Sequence, residues 1–441
     1  MLIILLLATI VFGVINFIFS RYDLINPTII YLLLFFFQIS LCLFATTYLD
    51  VQIHYPTVFI LISSYIIFTV FNLFVNLTPT SNIYLKQSNL TLIKLDAIFK
   101  YSFLAIAILM VGLSYLQLVR VSNALGGSRD LAEMIALNDS LVKFQTEKYS
   151  NLGLGTPGYF NFFSLIMYTT GYITIYIVVN NYLLTKKVDM IQILTILFML
   201  VNMYMGGSRS TIFRVLTFIA ILFYFFSLRN GLTIKQRTSL FRKVILFGVV
   251  GLIFFILSIE LYGRTNTYGT FHYLFIYFGA PLWNLDRFIQ LNQLPIPTEF
   301  FGEQTFINFY RYLGEDIELK LPFVRANSEY GLGNVYTTFY QFVYDFGIIG
   351  VIPLFSIIVG YFTLSYNKLL NSVSHVTKGI DISLFIYAFL FNDLVMLFFS
   401  NRFYETVLNS RNIRLFLLVY IFDAIFYKGY FGFGRFRIVF R

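Results

Sequence analysis

The sequence predicts an all-α polytopic membrane protein with about eleven (ten to twelve) transmembrane helices. A large extracytoplasmic loop and one short re-entrant or interfacial helix complete it. Two observations carry this reading. The 441 residues are 58% hydrophobic and only 12% charged, with a mean hydropathy of +0.78. A soluble globular protein carries about 25% charged residues. Apolar runs of about 18 residues or more also recur along the whole chain, and in hydrocarbon only helices and closed barrels satisfy every backbone polar group. No low-complexity linker or separate soluble domain interrupts them, so residues 1–441 read as a single integral membrane domain.

The runs, in order, are Leu2–Phe19, Pro27–Thr47, Pro56–Val75, Ala97–Val119, Tyr159–Tyr182, Val188–Met205, Thr211–Leu228, Val244–Tyr262, Gly347–Tyr366, Ile382–Ser400 and Ile413–Tyr427. The first lacks a basic n-region and an A-x-A cleavage pattern, so it reads as a retained span rather than a signal peptide. A further run, Phe271–Leu282, is too short to span and is assigned to the re-entrant or interfacial class. The single cysteine, Cys42, lies inside an apolar run and excludes an internal disulfide or a cysteine metal site.

With the N-terminus outside, the larger share of Lys and Arg falls in the inner connections, as the positive-inside rule requires. The net charge of +10 is spread over the connections beside anionic headgroups, which argues for membrane lipids and against nucleic acid as partner. Two long connections fall outside. Residues 120–158 carry a helical rhythm in AEMIALNDSLVKFQTEKYS, expected as a surface helix. Residues 263–346 hold most of the outer charge, and loops of that length are usually functional. The tail Lys428–Arg441, with interleaved aromatics and arginines, reads as an interfacial anchor on the cytoplasmic leaflet.

The stretch Met203–Leu216, MYMGGSRSTIFRVL, joins two apolar runs. It sets Arg209 among Gly206, Gly207, Ser208, Ser210 and Thr211, with Arg214 inside the next run. A cation beside a hydrocarbon span requires a polar partner. Glycines admit unusual backbone, a serine or threonine can cap the next helix, and a helix N-terminus beside a guanidinium suits an anion. The bland alternative is an arginine that snorkels to the interface. Gly-Gly-Ser-Arg also occurs at Gly126–Arg129, a recurrence that coincidence explains equally well. Every basic residue in the short outer connections is arginine: Arg209, Arg214, Arg402, Arg411 and Arg414. The planar fork suits bidentate phosphate contacts, although Glu405 is an alternative partner for Arg402.

Candidate bases are Asp345 at the mouth of the ninth run, Glu329 and His272. Asp345 could equally be a helix cap or an ion-pair partner, and His272 a packed ring. Arg264 follows the eighth run directly. Tyr262, Tyr273, Tyr336, Tyr340 and Tyr344 could stack on sugars or simply pack. His54 and His375 lie in no acidic or cysteine cluster with ligand spacing, so no metal site is expected.

Gly-Gly-Ser-Arg between two spans, a large outer loop, YFGAPLWNLD at 277–286 and NVYTTFYQFVYDFGIIG at 334–350 together resemble the oligosaccharide repeat-unit polymerases, the Wzy-type O-antigen or capsule polymerases. The likeness covers the hydropathy of the whole chain and short motifs between residues 203 and 350. Such enzymes commonly have an even number of spans, a departure from the eleven counted here. The resemblance implies a multi-pass glycosyltransferase of the bacterial inner membrane. It would transfer a growing glycan from undecaprenyl pyrophosphate onto a new lipid-linked unit, with neither cofactor nor metal, and with room for a chain-length regulator as partner. Arg209, Arg214, Arg264 and Arg411, with Ser208 and Tyr336, would then bind substrate, and Asp345, Glu329 or His272 would serve the acceptor hydroxyl. An O-antigen ligase, or a non-enzymatic flippase for the same lipid-linked unit, are the alternatives.

Overall fold

The computed structural model describes residues 1–77, 89–231, 270–327, 330–374, 379–428, 430–433 and 436–439, with isolated positions between 242 and 253. Nearly all of this is helix, and among the described residues the only strands are two short hairpins. Among the described residues, seven helices are long and apolar enough to cross a membrane. They are α1 (Leu2–Phe19), α2 (Pro27–Ala45), α3 (Tyr55–Leu77), α4 (Ala97–Ala124), α7 (Gly158–Thr185), α9 (Arg209–Arg229) and the Phe339–Asn371 helix.

The sequence count of eleven spans differs from this, for reasons of length. Helix α8 (Met190–Met205) has 16 residues, about 24 Å at 1.5 Å per residue, against a hydrocarbon core of about 30 Å. Ile382–Phe398 is also short, and its last turn tightens to a 3₁₀ helix. The final run is a 14-residue α-helix, Ser410–Asp423, followed by a π turn. The expected span Val244–Tyr262 lies outside the described residues, apart from isolated positions. The surface helix expected after α4 is present as α5 (Leu131–Phe144) and α6 (Thr146–Asn151). The tail expected as an anchor contains the hairpin β3 (Tyr430–Phe433) and β4 (Phe436–Val439).

The chain divides into two compact units. The first comprises Met1–Asn82, Tyr268–Ser372 and Leu390–Ile413. Here α1 packs on α2 and α3, and α3 on the Phe339–Asn371 helix. Asn26 opens α2, its side chain accepting from Thr28 N at 2.9 Å, with Pro27 at the first helical position. A polar seam ties the apolar helices together. Asn72 Nδ2 donates to Asn16 Oδ1 at 2.9 Å, Asn26 Nδ2 donates to Asn72 Oδ1 at 3.2 Å, and Asn16 Nδ2 reaches Thr69 Oγ1 at 2.8 Å. Thr9 donates to the Tyr65 hydroxyl at 3.0 Å, and Tyr31 pairs with Ser64 at 2.6 Å.

The short apolar run at 271–282 continues as a helix to Leu291, through a π turn at Phe275–Gly279. It packs along α2. Gln38 Nε2 donates to Phe278 O at 2.9 Å, and Cys42 Sγ to Gly279 O at 3.2 Å. Side chains of α2 thus serve carbonyls that the π turn removes from the regular ladder.

The second unit comprises Ile83–Thr267, Val373–Phe389 and Arg414–Arg441. In it α4 packs on α7 and α8, and α7 on α8 and α9. Asp189 caps α8 by accepting from Ile191 N at 3.0 Å, and it also takes the ammonium of Lys100. Asn202 Nδ2 donates to Ser114 Oγ at 2.7 Å, which fixes α8 against α4. At the end of α9 the fully buried Arg229 donates to Asp381, whose own N–H donates to the Tyr176 hydroxyl at 2.8 Å. A buried guanidinium without such a carboxylate would cost several kcal/mol.

The seam in the first unit is testable. Asn72→Leu removes its bonds to Asn16 and Asn26 and leaves two buried amides short of partners, so unfolding in bicelles is expected to become easier by about 1–3 kcal/mol. A double-mutant cycle with Asn16→Leu is expected to show coupling of about 0.6–1.7 kcal/mol. Additive effects would mean that the two asparagines act independently.

Candidate functional site

In the first unit the polar residues gather around the start of the Phe339–Asn371 helix. Gly347 sits inside that helix with φ 68° and ψ −174°, a non-helical conformation that separates an initial turn from the long apolar segment. Glycine adopts it without the Cβ penalty that other residues meet at positive φ. Asp345 lies two residues before the break. Its Oδ1 accepts from Gln304 N at 3.2 Å and its Oδ2 from Thr305 N at 2.6 Å. The carboxylate therefore holds the 301–306 turn.

The same segment is clasped from its other side. Buried Gln304 accepts from Lys320 N at 2.8 Å and donates to Glu318 O at 3.1 Å. The Tyr340 hydroxyl donates to Lys320 O at 2.7 Å, and the Tyr336 hydroxyl to Pro322 O at 2.9 Å. Burial pushes the Tyr336 phenol up to about 12, with Arg287 opposing, so the hydroxyl stays a donor at neutral pH. Burial also works against the Lys320 ammonium, but Tyr344 and Glu303 beside it outweigh this and raise its pKa above the ordinary value. Tyr336 and Tyr340 lie tilted against each other with 4.2 Å between ring centroids, and Phe288 lies 4.5 Å from Tyr340 and 5.9 Å from Tyr344. All three tyrosines are buried, and they pack on one another and on Phe288.

His272 is also buried, 4.8 Å from the Tyr330 ring. Burial pushes its pKa below the ordinary 6.5, against a smaller opposing effect of the Gly331 backbone. Arg411 is exposed at the head of the Ser410–Asp423 helix, its N–H donating to Asn409 Oδ1 at 2.9 Å. Arg402 meets Glu405 at 3.2 Å, the ion pair weighed for it from the sequence. Glu329, Arg264 and Tyr262 lie outside the described residues.

In the second unit, Arg209 is the first residue of α9 and only 7% exposed. The expected serine cap is absent. Ser208 occupies the N-cap position, but its hydroxyl pairs with Ser210 Oγ at 2.9 Å, and Thr211 Oγ1 turns back to Ser208 O at 2.7 Å. Gly207 takes φ 72° with the Asp139 side chain directly against it, so a Cβ there would lie 2.9 Å from that of Asp139. In the first Gly-Gly-Ser-Arg copy the positive φ belongs instead to Gly126, so the two copies do not share a backbone shape. Arg214 follows Arg209 by five residues, about 140° around the helix. Its Nη1 donates to Phe389 O at 3.3 Å, and the guanidinium lies 4.7 Å from the Phe389 ring centroid.

One constellation is invisible in the sequence. In the sequence His54 lies in no acidic or cysteine cluster with ligand spacing, yet the fold brings Asp286 to it across 232 positions. His54 Nδ1 lies 2.7 Å from Asp286 Oδ2, and the His54 backbone N–H donates to Oδ1 at 2.8 Å. The faint signal was Asp286 itself. It shares a helix face with Leu282, Leu285 and Ile289, a buried stripe on which a carboxylate requires a partner. Among the described residues no group of three His, Cys, Asp or Glu could hold a metal ion.

The fold and these sites define a multi-pass, all-helical protein. Comparison with protein-family models, curated proteins and solved structures finds no match to the chain.

Burial of neutral His272 gives a pH dependence. Its folded pKa lies below the unfolded 6.5, so the stabilisation is complete above that value. It declines as pH falls from 6.5 towards the folded pKa, where the unfolded chain binds the extra proton. Hydrogen exchange at Gly331–Gly333, corrected for intrinsic rates, is expected to quicken over this interval, and His272→Gln to flatten the response. An unchanged response in that variant would assign the effect to another group.

Proposed function

We propose that this chain is a membrane glycosyltransferase that polymerises undecaprenyl-pyrophosphate-linked oligosaccharide repeat units into O-antigen or capsular polysaccharide at the outer face of the bacterial inner membrane. The observation that carries the reading is Arg209, a nearly buried guanidinium that opens an apolar helix directly after Gly-Gly-Ser. Such a group is costly in a span unless an anion or a polar partner meets it. A lipid diphosphate at the membrane boundary suits a guanidinium placed there, because arginine's planar fork takes phosphate oxygens in bidentate fashion.

The chemistry follows from the leaving group. As the glycosyl bond to the carrier breaks, charge grows on the pyrophosphate, and a fixed guanidinium stabilises it without reorganisation. Arg209 is assigned this role; Arg214, Arg264 and Arg411 are the other candidates the sequence offers. Arg214 also donates to Phe389 O and lies beside that ring. Among the candidate bases, Asp345 accepts from two backbone N–H groups, burial lowers the pKa of His272, and Glu329 is the third.

Arg209→Ala is expected to lower polymerisation about 10²–10³-fold, the usual cost of removing one transition-state donor. Carrier-bound single units should accumulate while protein levels stay normal. Arg209→Lys, which keeps the charge but not the fork, should recover only part of the activity. Full-length glycans in Arg209→Ala cells would overturn the assignment. Long carrier-linked chains accumulating in a deletion strain would instead identify a ligase.

A further inference from the structure

We propose that His54, oriented by Asp286, is the general base that takes the proton from the acceptor hydroxyl. The inference rests on the glycosyl-transfer reading and deepens it, because it assigns the proton to a residue outside the three candidates above.

The geometry has three parts. Asp286 is 1% exposed, on a helix packed against α2 and α3. Both of its oxygens are taken by one residue, Oδ2 by the His54 ring and Oδ1 by the His54 backbone N–H. The ring itself is 48% exposed. A buried carboxylate is expensive, and here its two hydrogen bonds are spent on a histidine that faces outward. With Nδ1–H donating to Asp286, the ring tautomer leaves Nε2 as a proton acceptor. That nitrogen has no partner among the described residues. This is the division of labour by which a buried carboxylate fixes the orientation of an imidazole and stabilises the imidazolium it becomes.

The sequence-derived orientation puts both contributors on one side. His54 ends the outer connection between α2 and α3, and Asp286 belongs to the outer connection beginning at residue 263. Asn284, on the same helix as Asp286, donates to Val335 O at 2.8 Å and further fixes that helix.

The step balances. The acceptor oxygen attacks the anomeric carbon as its proton passes to His54 Nε2. The bond from that carbon to the phosphate oxygen breaks, and the carrier pyrophosphate leaves with the electron pair. The imidazolium, stabilised by Asp286, then returns its proton to water. Asp286 is a positioning residue in this scheme.

The test uses full-length protein in nanodiscs with carrier-linked repeat units. His54→Gln is expected to slow chain growth about 10²–10⁴-fold, the usual contribution of a general base, with little change in KM. His54→Gly should be slowed likewise and partly rescued by added imidazole, which a purely structural clasp would not permit. ¹⁵N-histidine spectra should show an Nδ1–H tautomer for His54 that is lost in Asp286→Asn, a readout independent of activity. Wild-type polymerisation alongside unimpaired His54→Gln would overturn this inference and leave the glycosyltransferase reading standing. An inactive wild type with the expected tautomer would instead count against the reaction itself.

Discussion

A polar group inside an apolar helix has to find a partner in protein, because hydrocarbon offers none. This constraint organises the first unit. The spans α1, α2 and α3 are apolar around most of their circumference, so burial of hydrophobic surface distinguishes poorly between one pairing and another. Asn16, Asn26, Asn72, Thr9 and Tyr65 do distinguish, since each finds its partner in one arrangement. Lipid would receive the faces these residues avoid, and the outward residues of α1 are accordingly leucine, isoleucine and valine.

The same constraint, transferred to the connections, builds the loop that follows the π-turn helix. Asp345, Gln304, Tyr336 and Tyr340 each spend a polar group on backbone of the 301–322 segment. The loop is therefore braced from the helix that begins at Phe339. Gly347 makes this possible, because its positive φ lets one continuous segment act as a brace on one side and a span on the other. In the second unit Arg229 and Asp381 solve the problem with charge rather than amides.

Two charged groups sit where burial makes a polar partner most important. Arg209 puts a cation where a span begins, and Asp286 buries a carboxylate to orient a half-exposed imidazole. Three of the tyrosines singled out for sugar stacking are packed differently. Tyr336, Tyr340 and Tyr344 have their faces covered by aromatic neighbours and their bodies buried, which makes them a wall rather than a platform.

The sequence by itself determined the class and most of the helices. Runs such as Pro27–Thr47 and Tyr159–Tyr182 fall on α2 and α7 within a few residues, because an apolar stretch of that length has one stable form in a bilayer. The sequence also marked Asp345 as a helix cap, an ion-pair partner or a base, whereas in the fold its carboxylate braces the turn at Gln304 and Thr305 and Thr338 holds the cap position. At Met190–Met205 and Ile382–Phe398 hydropathy continues, but the helices are shorter than the seven long ones. Only the tertiary structure decided that His54 meets Asp286, that Ser208 pairs with Ser210 instead of capping α9, and that Arg214 turns to Phe389. The physical reason is one of range. Hydrophobic periodicity is a local property, legible within about twenty residues, whereas the partner of a polar side chain is chosen by whichever distant segment the packed helices bring alongside it.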